Sequence, residues 1–290
     1  MFCFNKWGEP CDMSERTFLK ILQILPFANE AGFLFSCKFE PSLHPHFLKF
    51  IDLIPKQFKK KVFFTMNLVK YFDDETFHRL ANSKINFINI SLETFNPTLY
   101  EKLTSVKNTH FYENIDRMAM IFNKYPLAPK IRFITMILKD NYDELIDIAK
   151  TAHEKYHPSF HEFRTPYFFL HNGIDTLSRQ LLNRTELDTK IKQLQELNID
   201  NCYYWAETDL EKYQCFINPP PINIKEKTEE QLKYQKINVD PNSHYLIEIF
   251  ANGKILFQYK EHFNINDIED PFLFFSLKTL RFAKTRSRFI

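Results

Sequence analysis

Apolar residues recur at i, i+3, i+4 and i+7 in four segments: Phe18, Ile21, Leu22 and Leu25; Phe47, Phe50, Ile51 and Ile54; Ile115, Met118, Ala119 and Phe122; Leu145, Ile148, Ala149 and Ala152. That spacing places four side chains on one helical face and predicts four amphipathic helices, the first opening at Ser14 as its N-cap. Between them lie stretches rich in Val, Ile and Phe at 32–36, 62–65, 85–91 and 130–138, with a weaker fifth at 162–169. They are apolar on both faces in places, as buried parallel strands are. Alternation of the two periods from Ser14 to Phe169 predicts an α/β fold of βα units around a parallel sheet. Right-handed crossovers can build such units into an open sheet or a barrel, and periodicity alone does not choose.

Past Phe169 the rhythm changes. A helix is expected at 186–197, followed by the aromatic stretch Tyr203-Tyr204-Trp205, then Pro219-Pro220-Pro221 and a charged run over 225–236 of linker composition. Two strand-like segments, 245–250 and 254–259, flank Asn252-Gly253, a signal for a two-residue hairpin turn. A closing helix is expected at 272–281. The chain therefore divides into a βα unit over 1–170, a helical and aromatic connector over 171–224, and a small α+β module over 225–290.

Composition narrows the function. The 290 residues carry 44% hydrophobic residues and a net charge of +2, so the totals argue for neither a nucleic-acid stripe nor a polybasic membrane anchor. No apolar run approaches the ~20 residues that cross a bilayer. Five cysteines, at 3, 11, 37, 202 and 215, do not make a secreted disulfide framework, and no signal segment opens the chain, so a cytoplasmic location is expected. Only four glycines occur, Gly8, Gly32, Gly173 and Gly253, which excludes both a G-x-G-x-x-G dinucleotide turn and a P-loop.

In parallel βα folds ligands sit at the carboxyl ends of the strands. There the sequence puts Cys37-Lys38-Phe39-Glu40-Pro41 after the first strand, Thr65-Met66-Asn67 after the second and Ser91-Leu92-Glu93 after the third; Arg164 and Tyr167 lie on the fifth. The run Ser36 to Phe47, with Glu40-Pro41 and Leu43-His44-Pro45, resembles the radical S-adenosylmethionine (SAM) family stretch in which a G-G-E-P turn precedes "LHPDF" and a helix. Residues 62–67 are similar to that family's strand ending in T-N-G, and 88–93 to its strand ending in "iSlD". Cys3 ahead of Met13-Ser14-Glu15-Arg16-Thr17-Phe18 resembles the last cysteine of the C-x-x-x-C-x-x-C loop before an "MSxxxF" helix. The four landmarks occur in family order across about Met1 to Phe169. Two glycines of the turn are Lys38 and Phe39 here, and the glycine after Asn67 is Leu68.

The resemblance implies a partial (β/α) barrel of the radical SAM type, lacking its first strand, and a small C-terminal module placed to cover its mouth. It implies an enzyme in which three thiolates hold a [4Fe–4S] cluster, Cys3 being the last of them, and S-adenosylmethionine completes the fourth iron. One electron, from a donor such as a flavodoxin or ferredoxin, would then cleave SAM to a 5′-deoxyadenosyl radical that abstracts hydrogen from a substrate the sequence does not identify. By the same resemblance Glu40 would accept a hydrogen bond from the SAM ammonium, Asn67 would stand beside it, Ser91 and Glu93 would address the ribose or methionyl part, and Arg132 the SAM carboxylate. Because Met1 and Phe2 fill the spacer before Cys3, the start of the chain is expected to fall inside the cluster loop, as an N-terminal truncation. The alternative is a cluster-free descendant that binds a ligand in the same cleft or is inactive.

A rival motif, His153-Glu154-Lys155-Tyr156-His157, matches the zincin H-E-x-x-H, in which two histidines one helical turn apart bind zinc. Pro158 stops the helix at once and His161 is off the spacing of the extended zincin motif, so a zinc metalloprotease is the weakest reading. The two histidines are expected at an exposed helix end, and Cys202 in a structural role.

Overall fold

The computed structural model describes residues 11–27, 33–35, 40–107, 110–165, 180–205, 247–249, 254–257 and 261–271. Ser14 caps helix α1 (Glu15–Leu22) as its sequence predicts, its side chain accepting the Thr17 N–H at 3.1 Å. Six strands then form one parallel sheet in sequential order: β1 (Phe33–Phe35), β2 (Val62–Met66), β3 (Phe87–Ser91), β4 (Lys130–Met136), β5 (Phe160–Arg164) and β6 (Cys202–Trp205). The crossovers carry α2 (Phe47–Leu53), α3 (Asp74–Asn82), the pair α4 (Pro97–Thr104) and α5 (Phe111–Phe122), α6 (Leu145–Tyr156) and α7 (Arg184–Glu196).

A sequential order with right-handed crossovers lays every helix on the same face, and no strand reversal creates a switch point. The burial pattern bears this out. In β2, Val62, Phe64 and Met66 are buried while Phe63 and Thr65 are only half-buried, and in β5 His161 and Phe163 are buried between half-buried neighbours. The helices therefore seal one face, with Phe64, Phe77, Phe111, Phe133 and Phe163 fully buried, and leave the other as an inner wall. Six strands wound in one direction, short of the eight that close, make a partial (β/α) barrel.

The structure departs from the sequence reading in three places. Helices α3 and α4 were not anticipated; Asp73 and Asn96 cap them, with Phe77, Leu80 and Ala81 as the buried face of α3. The aromatic stretch 203–205, read as part of the connector, belongs to β6 and pairs in parallel with β5, so the sheet continues beyond residue 170. In the second sheet, β7 (Ile247–Ile249) and β8 (Lys254–Phe257) are antiparallel, but Ile249 pairs with Ile255. A two-residue turn at Asn252-Gly253 would pair Ile249 with Leu256, so an odd number of residues connects the strands. A third strand, β9 (Glu261–Asn264), completes that sheet, and the expected helix at 272–281 falls outside the described residues.

This small sheet leads into a turn that docks on α1. Lys20 Nζ donates to the carbonyls of Ile265 at 3.1 Å and Asn266 at 2.9 Å, and Thr17 Oγ1 donates to Asn266 Oδ1 at 3.1 Å. Among the described residues no helix is long and apolar enough to cross a membrane.

Candidate functional site

The inner face is built by register. Leu34 aligns with Phe63, Phe63 with Phe87, Asn89 with Arg132, Arg132 with Phe160, and Glu162 with Tyr203, and side chains on partnered positions share a face. Its floor is aromatic. Phe63 stacks on Phe87 at 4.5 Å and Phe160 on Tyr203 at 4.3 Å. The Arg132 guanidinium lies between them, 4.2 Å from the Phe87 ring and 4.0 Å from the Phe160 ring. This double cation–π contact explains how a strand-interior arginine is tolerated there.

Above the floor the wall turns polar. Asn89 donates to Thr65 Oγ1 at 3.4 Å, and Arg164 lies 3.8 Å from Glu162. Three buried atoms of this wall have no protein partner: Asn89 Oδ1, Arg132 Nε and Arg164 Nε. Buried polar groups without a partner are rare in native structures, and a cluster of them on one concave wall marks a place where a polar ligand fits.

At the rim, Glu40 joins two loops. Its Oε2 accepts the Asn67 N–H at 2.6 Å, its Oε1 accepts the Ser42 N–H at 3.2 Å and the Ser42 hydroxyl, and it caps the short turn Pro41–Leu43. Lys70, which donates to the Ser42 carbonyl, supplies a neighbouring positive charge. Burial pushes the Glu40 carboxyl above its ordinary value, against the hydrogen bonds from Ser42 and Asn67 and the charge of Lys70. A carboxylate offers about four acceptor sites and three are used, so one remains. The residue after Asn67, Leu68, has φ 53°, in the left-handed region that glycine adopts without steric cost.

The second acid sits at the ends of β3 and β4. Glu93, 5% exposed, accepts the Met136 N–H at 3.1 Å, and burial pushes its carboxyl up to about 7 despite that bond and the charge of Arg164. Asn141, fully buried, holds the two strand ends together: its Nδ2 donates to the carbonyls of Glu93 and Met136, each at 2.9 Å, and its Oδ1 accepts the Leu138 N–H at 2.9 Å. Burial raises the Tyr100 phenol, and the charges of Glu93 and Glu40 add to that rise.

Of the residues singled out by sequence, Glu40 and Asn67 are in direct contact, Ser91 is half-buried on the inner face opposite Ile134, and Glu93 is buried just beyond it. Arg132 is not brought to the rim; it lies one pleat below Ser91, against the floor. Cys3, Cys37, Lys38, Phe39 and Tyr167 lie outside the described residues. Asn89, Glu162 and Asn141 were missed; the first two have a period-2 relation to Ser91 and Arg164 that could have found them. The H-E-x-x-H segment does not form a helical pair. Helix α6 ends at Tyr156 and His157, exposed, takes φ 45° as its cap, whereas His153 is half-buried rather than on an exposed helix end.

Comparison with known proteins agrees with this geometry. The sequence profile of the Radical SAM superfamily matches residues 1–152. Among solved structures, anSMEcpe with bound S-adenosylmethionine is similar over 94% of this chain and 76% of its own, at 15% identity and a TM-score of 0.56. SuiB of Streptococcus suis, also bound to S-adenosylmethionine, is similar over 90% of this chain and 60% of its own, at 17% identity and a TM-score of 0.53. The chain thus spans less than two thirds of SuiB. No curated protein matches it in sequence.

Proposed function

The chain belongs to the radical SAM superfamily, and from that membership we propose that it is an enzyme using a [4Fe–4S] cluster and S-adenosylmethionine for radical hydrogen abstraction. The observation that carries the reading is the inner wall, where Asn89 Oδ1, Arg132 Nε and Arg164 Nε are buried without partners beneath a rim acid with one acceptor site to spare. These groups fit a ligand bearing an ammonium, a carboxylate and hydroxyls. When bound, the cluster and SAM supply the one-electron cleavage and the hydrogen-abstracting radical.

The protein's part is positioning. Cys3 is the thiolate this chain brings to the cluster. Glu40 receives the ammonium of SAM, its orientation fixed by Asn67 and Ser42. Ser91 and Glu93 address the ribose or methionyl part, and Arg164 is the arginine placed to attract carboxylate, Arg132 being held between the rings of the floor. The stacked pairs Phe63–Phe87 and Phe160–Tyr203, with the Arg132 guanidinium between them, form the base beneath these groups. An electron donor of the flavodoxin or ferredoxin class completes the system.

The test is anaerobic reconstitution with iron and sulfide, applied to the chain and to the chain extended by any in-frame codons ahead of Met1. Retained iron, a visible charge-transfer absorption and reductant-dependent release of 5′-deoxyadenosine, all lost in Cys3→Ala, support the proposal. Absence of bound iron from both forms retires it in favour of a cluster-free protein that uses the same cleft for binding.

A further inference from the structure

On the opposite, helix-covered face of the sheet, three side chains converge that play no part in the site above: His153 of α6, His161 of β5 and Cys202 of β6. One ligand atom from each lies within 4.8 Å of the other two. His161 and Cys202 are register partners on adjacent parallel strands, so they point together at α6, where the His153 ring stacks on His161 at 5.7 Å and His153 Nε2 meets Cys202 Sγ at 3.5 Å.

The protonation of His161 follows from its neighbours. Thr135 Oγ1 spends its one proton on the Leu92 carbonyl at 2.6 Å, so at 2.9 Å it can only accept from His161 Nε2. The proton of the neutral ring is therefore on Nε2, and Nδ1 presents a bare lone pair. That atom is buried, in a residue with no exposure, and has no hydrogen-bond partner. A histidine whose far nitrogen donates to an anchored acceptor while its near nitrogen is free is the arrangement found behind metal-ligating imidazoles.

We propose that His153 Nε2, His161 Nδ1 and Cys202 Sγ form a binding site for a borderline divalent cation of the zinc class. Two imidazoles and one thiolate suit Zn²⁺, and three protein ligands leave its fourth position open to solvent past the half-buried His153 and Cys202. Metal–ligand bonds of about 2.0–2.3 Å bring tetrahedral donors to roughly 3.3–3.8 Å apart, so the trio closes by about 1 Å on binding. Cys202 releases its thiol proton to solvent as the sulfur–metal bond forms. The cation clasps the edge strand β6 to β5 and α6. This is a different set from H-E-x-x-H: it keeps His153, and leaves His157 and Glu154 out.

Metal-free protein of all 290 residues, titrated anaerobically with Co²⁺, tests it. The expected result is a thiolate-to-cobalt charge-transfer band with tetrahedral d–d bands, saturating at one metal per chain and displaced by Zn²⁺. The bands should be lost in His153→Ala and Cys202→Ser and kept in His157→Ala and Cys3→Ser; Thr135→Val should weaken the metal by about 10- to 100-fold. His153 is half-buried at a helix surface, so its alanine variant is expected to fold, with far-ultraviolet dichroism as the check. Absence of the bands from the parent protein, their survival in folded His153→Ala, or their loss in Cys3→Ser overturns the proposal.

Discussion

Glu40 and Asn67 meet at 2.6 Å, carboxylate to backbone N–H, so a single side chain fastens the turn after β1 to the end of β2. Glu40→Ala leaves the N–H groups of Asn67 and Ser42 without their acceptor, at about 1–3 kcal/mol for each group that stays buried. Glu40→Gln keeps one acceptor oxygen and should lose less. If the spare acceptor site receives the SAM ammonium, Glu40→Gln also removes a charge-assisted bond of about 1.5–3 kcal/mol, which weakens SAM by about 10- to 100-fold. Thermal unfolding measures the first effect and calorimetric titration of reconstituted protein the second. Unchanged SAM affinity in Glu40→Gln would leave Glu40 with a structural role alone.

Glu93 makes stability depend on pH in an unusual direction. Its carboxyl titrates near 4.5 when unfolded and about 7 when folded, so between those values the folded state holds the extra proton. Stability that is present below about pH 4.5 is lost as pH rises to about 7, the reverse of a salt-bridged acid. The shift corresponds to about 3 kcal/mol. Glu93→Gln mimics the protonated form, so it should be more stable than the parent at pH 8 and equal to it near pH 4.5, by urea denaturation at the two pH values. A parent protein that gains stability from pH 5 to 7 relative to Glu93→Gln would contradict the assignment.

The helices legible in the sequence were those with four apolar residues at i, i+3, i+4 and i+7, because that pattern stands out above composition. Helix α3 buries three positions over nine residues and α4 two over eight, so tertiary packing and the caps Asp73 and Asn96 define them more than periodicity does. Strand β6 was hidden for a similar reason. Four residues give one and a half periods, and its aromatic character suited a packing surface as well as a strand. The site was legible in kind rather than in depth. Sequence put Glu40, Asn67, Ser91 and Glu93 at strand ends, but nothing local told that Arg132 would be stacked between Phe87 and Phe160, because those rings come from two other strands. Asn141 was illegible altogether, since its partners are backbone groups brought to it by the sheet.

Leu68 offers a direct test of the rim's backbone. It is fully buried, and it holds φ 53°, a left-handed conformation that favours glycine. Leu68→Ala is expected to cost about 2–5 kcal/mol for the lost side chain. Glycine normally ranks below alanine, but at a left-handed position it escapes a penalty of about 1–2 kcal/mol. Leu68→Gly should therefore unfold at a higher urea concentration than Leu68→Ala. The opposite order would mean that the backbone at 68 is not left-handed in solution.

Asn141 carries the last prediction, because three backbone groups depend on one fully buried side chain. With alanine there, the carbonyls of Glu93 and Met136 and the Leu138 N–H lose their partner in a space sealed from bulk water. At about 1–3 kcal/mol for each group that finds no substitute, and with some relaxation, Asn141→Ala should cost about 3 kcal/mol. That is a fall of roughly 6–12 °C in the unfolding midpoint for a chain of this size. Asn141→Asp is the sharper probe. It keeps an acceptor for Leu138 but offers the two carbonyls a negative charge, with Glu93 close by. It should therefore be the less stable of the two at pH 8 and recover as pH falls and the acids protonate. Equal stability of the aspartate and alanine variants across that range would show that Asn141 does not tie the ends of β3 and β4 together.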